Sequence, residues 1–340
     1  MQSKQLVLPL ILLFGFGTVT ASNLQQRRDQ QPLREEEPIR LGTTLVQVPV
    51  IVSEPGGRYI TDMRAEDFAL YEDGVKQKIA VFGAVEEPFN VALLLDSSGS
   101  TAAQLSRIKA AALAFIDNLR PQDRVMIASF NDSVQFLCDL TGDRSVLTRA
   151  VDSIQSGEFT QVYEAVYTAV WERLHDLKGR KAVIVFTDGI DTASSEISEE
   201  DTLDAIIESE DIIVYPIRYA TRPDVERKIE VRVRSTVKAN TDIENELVRQ
   251  DHALDRTYRE ADEYLQELAD MSGGIVERAD QLGDLQSALG RIARELRQQY
   301  LLGYYPTNRT QDGKSRKIRV ETIRRGARVR SRPEYRMSQQ

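Results

Sequence analysis

The run Val91, Ala92, Leu93, Leu94, Leu95 shows no alternation of apolar and polar positions, the mark of a strand buried on both faces of a parallel sheet. Residues 181–187 form a second such run, and 124–130, 134–140 and 211–219 read as further strands. Between them the period changes to that of a helix. In 102–120, Leu105, Ile108, Ala112, Phe115, Ile116 and Leu119 fall on one face, and Pro121 stops the helix. Helices are also expected over 145–153, 162–178, 199–208, 258–271 and 284–298, with a short strand at 275–277. Alternation of strand and helix predicts an α/β fold with a doubly wound, mostly parallel sheet over 88–298. The stretch 221–257 breaks the pattern. It is dense in charge and weakly amphipathic, so it reads as an insertion, either a solvated helix or ribbon or an arm that contacts a partner.

The two flanks are patterned as strands. At the N-terminal side, 43–84 offers a strand at 44–52, a turn at 54–57, and two strands within 67–82 around Asp73 and Gly74. At the C-terminal side, 299–337 offers strands at 300–306, 317–323 and 327–330. About 40 residues is marginal for an independent core, so each flank needs a partner. The expectation is one small β-sandwich built from both ends, with the α/β domain inserted between them.

The first buried strand ends in Asp96, Ser97, Ser98, Gly99, Ser100 and Thr101. Open α/β sheets bind ligands at the C-terminal ends of their strands, and this strand delivers a carboxylate and hydroxyls there. Asp96, Ser98 and Ser100 are spaced two apart around Gly99, so their oxygens can converge. Hard oxygen donors without His or Cys suit Mg²⁺, Mn²⁺ or Ca²⁺ rather than zinc or copper.

Asp96-Ser97-Ser98-Gly99-Ser100 resembles the D-x-S-x-S metal-ion-dependent adhesion site of von Willebrand factor type A domains. The resemblance extends to Thr160, in a later loop, and to Asp188, after another buried strand. It implies that Ser98, Ser100 and Thr160 offer hydroxyl oxygens, with Asp96 and Asp188 acting directly or through water. The bound ion would then capture an Asp or Glu of a partner protein. Asp191 and Thr192 are expected at the rim or just behind it, and Ser97 and Thr101 as caps of the following helix. Residues 66–74, the metal-site strand and 300–306 further resemble a secreted, acidobacterial-type subgroup of type A proteins.

The formal net charge of −9 disfavours nucleic acid as a partner. A basic start at Lys4, an apolar core and small residues at Val19 and Ala21 read as a secretory signal peptide over 1–21, followed by a disordered tether over 22–42. The apolar run is shorter than the roughly 20 residues of a bilayer span, so no transmembrane segment is expected after cleavage. The destination is periplasmic or extracellular, unless the leader remains as an anchor. The single cysteine, Cys138, allows no internal disulfide and is placed on one strand face with Val134, Phe136 and Leu140.

No nucleophile elbow, phosphate loop or dinucleotide fingerprint is present in the sequence. His175, in a helix, and His252, in the insertion, lack the strand-end context of a triad. Binding, rather than catalysis, is the expectation. Ten Lys/Arg between 314 and 336 suggest a solvated strand face or, alternatively, a surface for an anionic lipid or envelope polymer. The sequence therefore points to an exported, cation-dependent protein-binding or adhesion module. A structural envelope component with an occupied or vestigial site is the alternative.

Overall fold

The computed structural model describes residues 45–83, 88–209, 211–236, 240–279, 282–310 and 312–336. The expected signal peptide and tether lie outside the described residues.

The N-terminal flank forms β1 (Val46–Ser53), β2 (Phe68–Glu72), β3 (Val75–Gln77) and β4 (Ile79–Gly83). Val46, Val48, Val50 and Val52 of β1 all point inward and are fully buried. The single strand expected after Asp73 and Gly74 is divided: β3 pairs with β2, whereas β4 crosses to another sheet. The crossing follows Gln77, whose buried side-chain amide donates to the Thr307 hydroxyl (3.0 Å) and whose carbonyl oxygen accepts from Thr307 N–H (3.1 Å). Satisfying that amide away from the ladder marks the corner where the chain changes sheets.

The α/β part continues with β5 (Phe89–Asp96), α1 (Leu105–Asp117), β6 (Arg124–Phe130), β7 (Val134–Thr141), α2 (Arg144–Ser153) and α3 (Val162–Tyr167). A π-helical stretch, Thr168–Leu174, extends α3. Then follow β8 (Arg180–Thr187), α4 (Glu199–Glu208), β9 (Ile212–Arg218), α5 (Arg222–Thr236), α6 (Asn240–Ser272), β10 (Glu277–Arg278) and α7 (Leu282–Leu296). The strand order is β10-β9-β8-β5-β6-β7, parallel except for β7. From β5 the chain passes through α1 to β6 on one side and later through α3 to β8 on the other. This reversal leaves a crevice at the C-terminal end of β5, where Asp96 stands. Residues of α1, α2 and α7 cover one face of the sheet, and those of α3, α4 and α6 cover the other.

Two local expectations are corrected. The register of β7 against β6 shifts between Ile127, opposite Cys138, and Ala128, opposite Phe136. This bulge turns Cys138 to the α1 face with Leu137, away from Val134, Phe136 and Leu140. The insertion is helical and supplies α5 and the first half of α6, so the helix expected at 258–271 is the continuation of one element. Arg222 at the start of α5 bridges to Asp251 (2.9 Å) and Asp255 (2.6 Å) of α6, drawing the two helices together.

The C-terminal flank forms β11 (Tyr300–Tyr304), β12 (Ser315–Thr322), β13 (Arg328–Ser331) and β14 (Glu334–Arg336). Strands from both ends interleave in two four-stranded sheets, β13-β1-β11-β4 and β14-β12-β2-β3. Their shared core includes Val48, Val50, Phe68, Leu70, Tyr300, Leu302, Val320 and Tyr335. The expected sandwich is present, with the α/β part inserted between its halves. Many cations of the C-terminal flank serve inside the molecule. Arg316 pairs with Glu72, Arg324 with Asp62, Arg330 with Glu295, and Arg336 with Asp204 and Glu208. Arg332, 1% exposed, donates to the carbonyls of Ile206, Ile207 and Ser209 at the end of α4.

Candidate metal centre

Asp96 is the last residue of β5 and is fully buried. Its Oδ1 accepts from Ser98 N–H (2.9 Å) and its Oδ2 from the Thr187 hydroxyl (2.8 Å). The Ser98 and Ser100 hydroxyls lie 3.1 Å apart, and Ser100 donates to Asp188 Oδ2 (3.0 Å). Four of the five expected ligands thus form one connected chain across the ends of β5 and β8. Asp188 is followed by Gly189 at φ +83°, with Leu265 side-chain atoms 3.0 Å from where a Cβ would stand. A glycine there lets the chain turn directly beneath α6.

Thr160, the fifth expected ligand, is 5% exposed in a loop tied to the first motif. Gly157 N–H donates to Ser97 O (2.9 Å), and Gly99 N–H to Glu158 O (3.4 Å). Gly99 is closely approached, because a Cβ would lie 3.1 Å from Glu158 O. On its other side the loop is knitted to the segment after Asp188. Thr160 N–H donates to the Thr192 hydroxyl (2.9 Å), and Thr160 O accepts from the N–H groups of Thr192 and Ala193 (3.0 Å each). Asp191 accepts from the Ser194 hydroxyl (2.6 Å) and from Tyr163 N–H at the start of α3 (3.2 Å). Asp191 and Thr192 therefore stand behind Thr160 and fix its loop.

Burial, and then the negative charge of Asp188, push Asp96 up to about 7. Burial also raises Asp188, partly offset by the hydrogen bonds from Thr221, Ile190 and Ser100. Two carboxyl groups taken from water and set near each other resist double ionisation unless a cation joins them. Neither forms an ion pair with a Lys or Arg among the described residues. Arg218, which pairs with Asp262, also lowers Asp188 through its charge. The donor set of two carboxylates and neighbouring hydroxyls fits a hard divalent cation.

Several positions behind the carboxylates were not foreseen. Thr187 holds Asp96, as described. Thr221, fully buried, donates to Asp188 Oδ2 (2.6 Å) and lies 2.8 Å from the Tyr258 hydroxyl. With the single Thr221 proton on Asp188, Tyr258 donates to Thr221, which makes a relay from α6 into the site. Thr187 adjoins Asp188 in sequence and was findable there; Thr221 is 33 residues away and Tyr258 70, so only the fold brings them in. Ser97 and Thr101 do not cap the next helix. The Ser97 hydroxyl accepts from Asn131 (3.0 Å), and the Thr101 hydroxyl turns inward to Ser98 O (3.0 Å) and Asp96 O (3.2 Å). His175 is bonded to Ser209 (3.0 Å) and His252 lies in α6, so neither belongs to the hydroxyl chain at Asp96.

A sheet with a topological reversal and a buried oxygen cluster at its crest defines an open α/β ligand-binding class. Within it, residues 91–190 match the family model of the von Willebrand factor type A domain, and the chain carries such a domain. No curated protein matches the chain. Among solved structures it is similar to the von Willebrand factor domain of the type V pili tip protein Mfa5 from Porphyromonas gingivalis. There the identity is 22%, the coverage 32% of this chain and 40% of that one, and the TM-score 0.30. It is also similar to a von Willebrand factor type A protein from Catenulispora acidiphila, at 12% identity, 80% and 72% coverage and a TM-score of 0.46. A third similar structure is proximal thread matrix protein 1 from the mussel byssus, with a zinc-occupied MIDAS motif. It shares 13% identity over 66% of this chain and 49% of that one, with a TM-score of 0.46. Among the described residues, no helix is long and apolar enough to cross a membrane.

Proposed function

We propose that this chain is an exported, divalent-cation-dependent protein-binding module. Asp96, Ser98, Ser100, Thr160 and Asp188 hold the ion, Mg²⁺ foremost, with Mn²⁺ or Ca²⁺ as alternatives. When bound, the ion supplies a positive centre with a coordination position for a carboxylate from outside, an Asp or Glu of a partner protein. The observation that carries the reading is the joining of two buried carboxyl groups, Asp96 through the Ser98 N–H and Asp188 through the Ser100 hydroxyl, which meets the Ser98 hydroxyl, with no ion-paired side chain on either carboxyl group among the described residues.

The division of labour among the residues follows from their chemistry. Neutral hydroxyls of Ser98, Ser100 and Thr160 provide oxygens without adding charge, so two carboxylates leave a divalent ion electron-poor enough to accept a third. Thr187 fixes the orientation of Asp96, while Thr221 and Tyr258 fix that of Asp188. Thr192 and Asp191 keep the Thr160 loop in place. Capture requires no bond to be made or broken, and this reading assigns no catalytic residue.

Equilibrium capture of a carboxylate-bearing probe tests the reading. The full-length chain is titrated with a fluorescent peptide carrying a single Asp, in Mg²⁺ and in chelator. Binding present in Mg²⁺, absent in chelator and absent in Asp96→Ala supports it. Equal binding in Mg²⁺ and in chelator contradicts it.

A further inference from the structure

Three segments meet at Gly99. Its N–H donates to Glu158 O (3.4 Å), and its carbonyl accepts from Lys228 Nζ (3.3 Å). Ser98 and Ser100, on either side, are two of the candidate ligands. The first contact belongs to the loop that ends in Thr160, and the second to α5 of the insertion. The insertion therefore stands against the metal-site loop and places an ammonium at its rim. Lys228 is exposed and has no carboxylate partner among the described residues, so its charge is free to meet one from outside.

Each flanking segment also exposes a large apolar side chain. Phe159, immediately before Thr160, is 52% exposed, and Val231, one turn beyond Lys228 on α5, is 66% exposed. Single exposed apolar residues are ordinary on a protein surface. These two stand on the two segments that contact Gly99. Glu158 and Phe159 both donate their N–H groups to Asp132 Oδ1 (3.0 and 2.7 Å), which pins the turn that presents the ring. At the root of α5, Thr221 is bonded to Asp188 and Arg222 bridges to α6.

We infer that Phe159, Lys228 and Val231 form a selecting rim around the metal site. It fits an extended segment of a partner protein in which an Asp or Glu lies within a few residues of apolar side chains. The acid meets the ion, Lys228 adds an attractive charge, and Phe159 and Val231 cover the neighbouring apolar groups. Glu158, exposed in the loop whose backbone meets Gly99 N–H, adds a negative charge that disfavours a second acid beside that loop. The inference rests on the metal-dependent reading and adds to it a sequence preference and a role for the insertion.

A phage-displayed random peptide library, panned on the full-length chain in Mg²⁺ and eluted with chelator, tests it. Enriched peptides are expected to hold one Asp or Glu with an apolar residue within three positions. Phe159→Ser, Lys228→Gln and Val231→Ser each alter an exposed side chain, so folding should be retained, as the thermal midpoint would verify. Each is expected to weaken the enriched peptide by roughly five- to tenfold. Calorimetric Mg²⁺ affinity should stay within about twofold of the parent. If all three leave peptide affinity unchanged while Asp96→Ala abolishes it, the rim is overturned and the metal site stands. If no chelator-sensitive peptide is enriched and Mg²⁺ gives no heat, the metal-dependent reading itself fails, and the rim with it.

Discussion

At the scale of single residues, the state of the site turns on Asp96. Its pKa of about 7, against an ordinary 3.8, means that the folded chain keeps a proton which the unfolded chain releases as pH rises through this window. The stability of the metal-free protein therefore falls between about pH 4 and pH 7 and stays low above that. A cation needs the ionised form, so binding must expel the proton. Calorimetry in two buffers of different ionisation enthalpy should show protons released on Mg²⁺ binding at pH 6, and fewer at pH 8. Asp96→Asn keeps the shape and removes the charge. Denaturant unfolding at pH 8 should show it more stable than the metal-free parent by roughly 1–3 kcal/mol, with metal binding lost. Tyr258→Phe removes the last donor of the relay to Asp188 and should cost about 1 kcal/mol in metal affinity, read by titration. Of these groups, Asp96, Ser98 and Ser100 could be picked out of the sequence because they cluster at the end of a buried strand, whereas Thr160 and Asp188 were indicated by the family resemblance. Tyr258 had no such mark, being one aromatic on the apolar stripe of a long helix.

At the scale of elements, the unalternating runs 91–95 and 181–187 revealed their strands because burial on both faces leaves no other pattern. The insertion was harder. Its helices bury little: α5 carries Arg, Glu and Lys through most of its length and is steadied by ion pairs such as Arg234 with Glu230 (2.8 Å). Charge density in a sequence does not distinguish a ribbon from a helical pair, and the choice is made by contacts such as Arg222 to Asp251 and Asp255. The bulge that reverses Cys138 depends on the pairing of β7 with β6, which a single strand does not encode. The end of α4 supplies a test at this scale. Arg332 donates to three carbonyls at the end of the helix from a buried position, so Arg332→Met should destabilise the chain by about 3 kcal/mol or more in chemical denaturation, through lost donors within a buried site.

At the scale of the whole molecule, the two ends of the chain complete one another. β1 lies between β11 and β13, and β2 lies between β3 and β12, so neither flank owns a finished sheet. Both flanks were recognisable as strands that could not form a core alone, and that shortage was what indicated their union. The division of β3 from β4 and the short β14 were not recognisable, since each is defined by the partner sheet. Removing residues 299–340 should expose Val46, Val48, Val50 and Leu70 and give a chain that aggregates or loses cooperative unfolding, read by light scattering and circular dichroism. Arg330, Arg332 and Arg336 also fasten the sandwich to the α/β part, which gives the candidate site a fixed base. The metal-dependent reading stands or falls on the ion itself. The decisive measurement is a calorimetric titration of the full-length chain with Mg²⁺ at pH 8 in acetate, where Asp96 is ionised and acetate stands in for the partner's carboxylate. Saturable binding that disappears in both Asp96→Ala and Thr160→Ala is the predicted result. Heats that are the same in the parent and in both variants would contradict it.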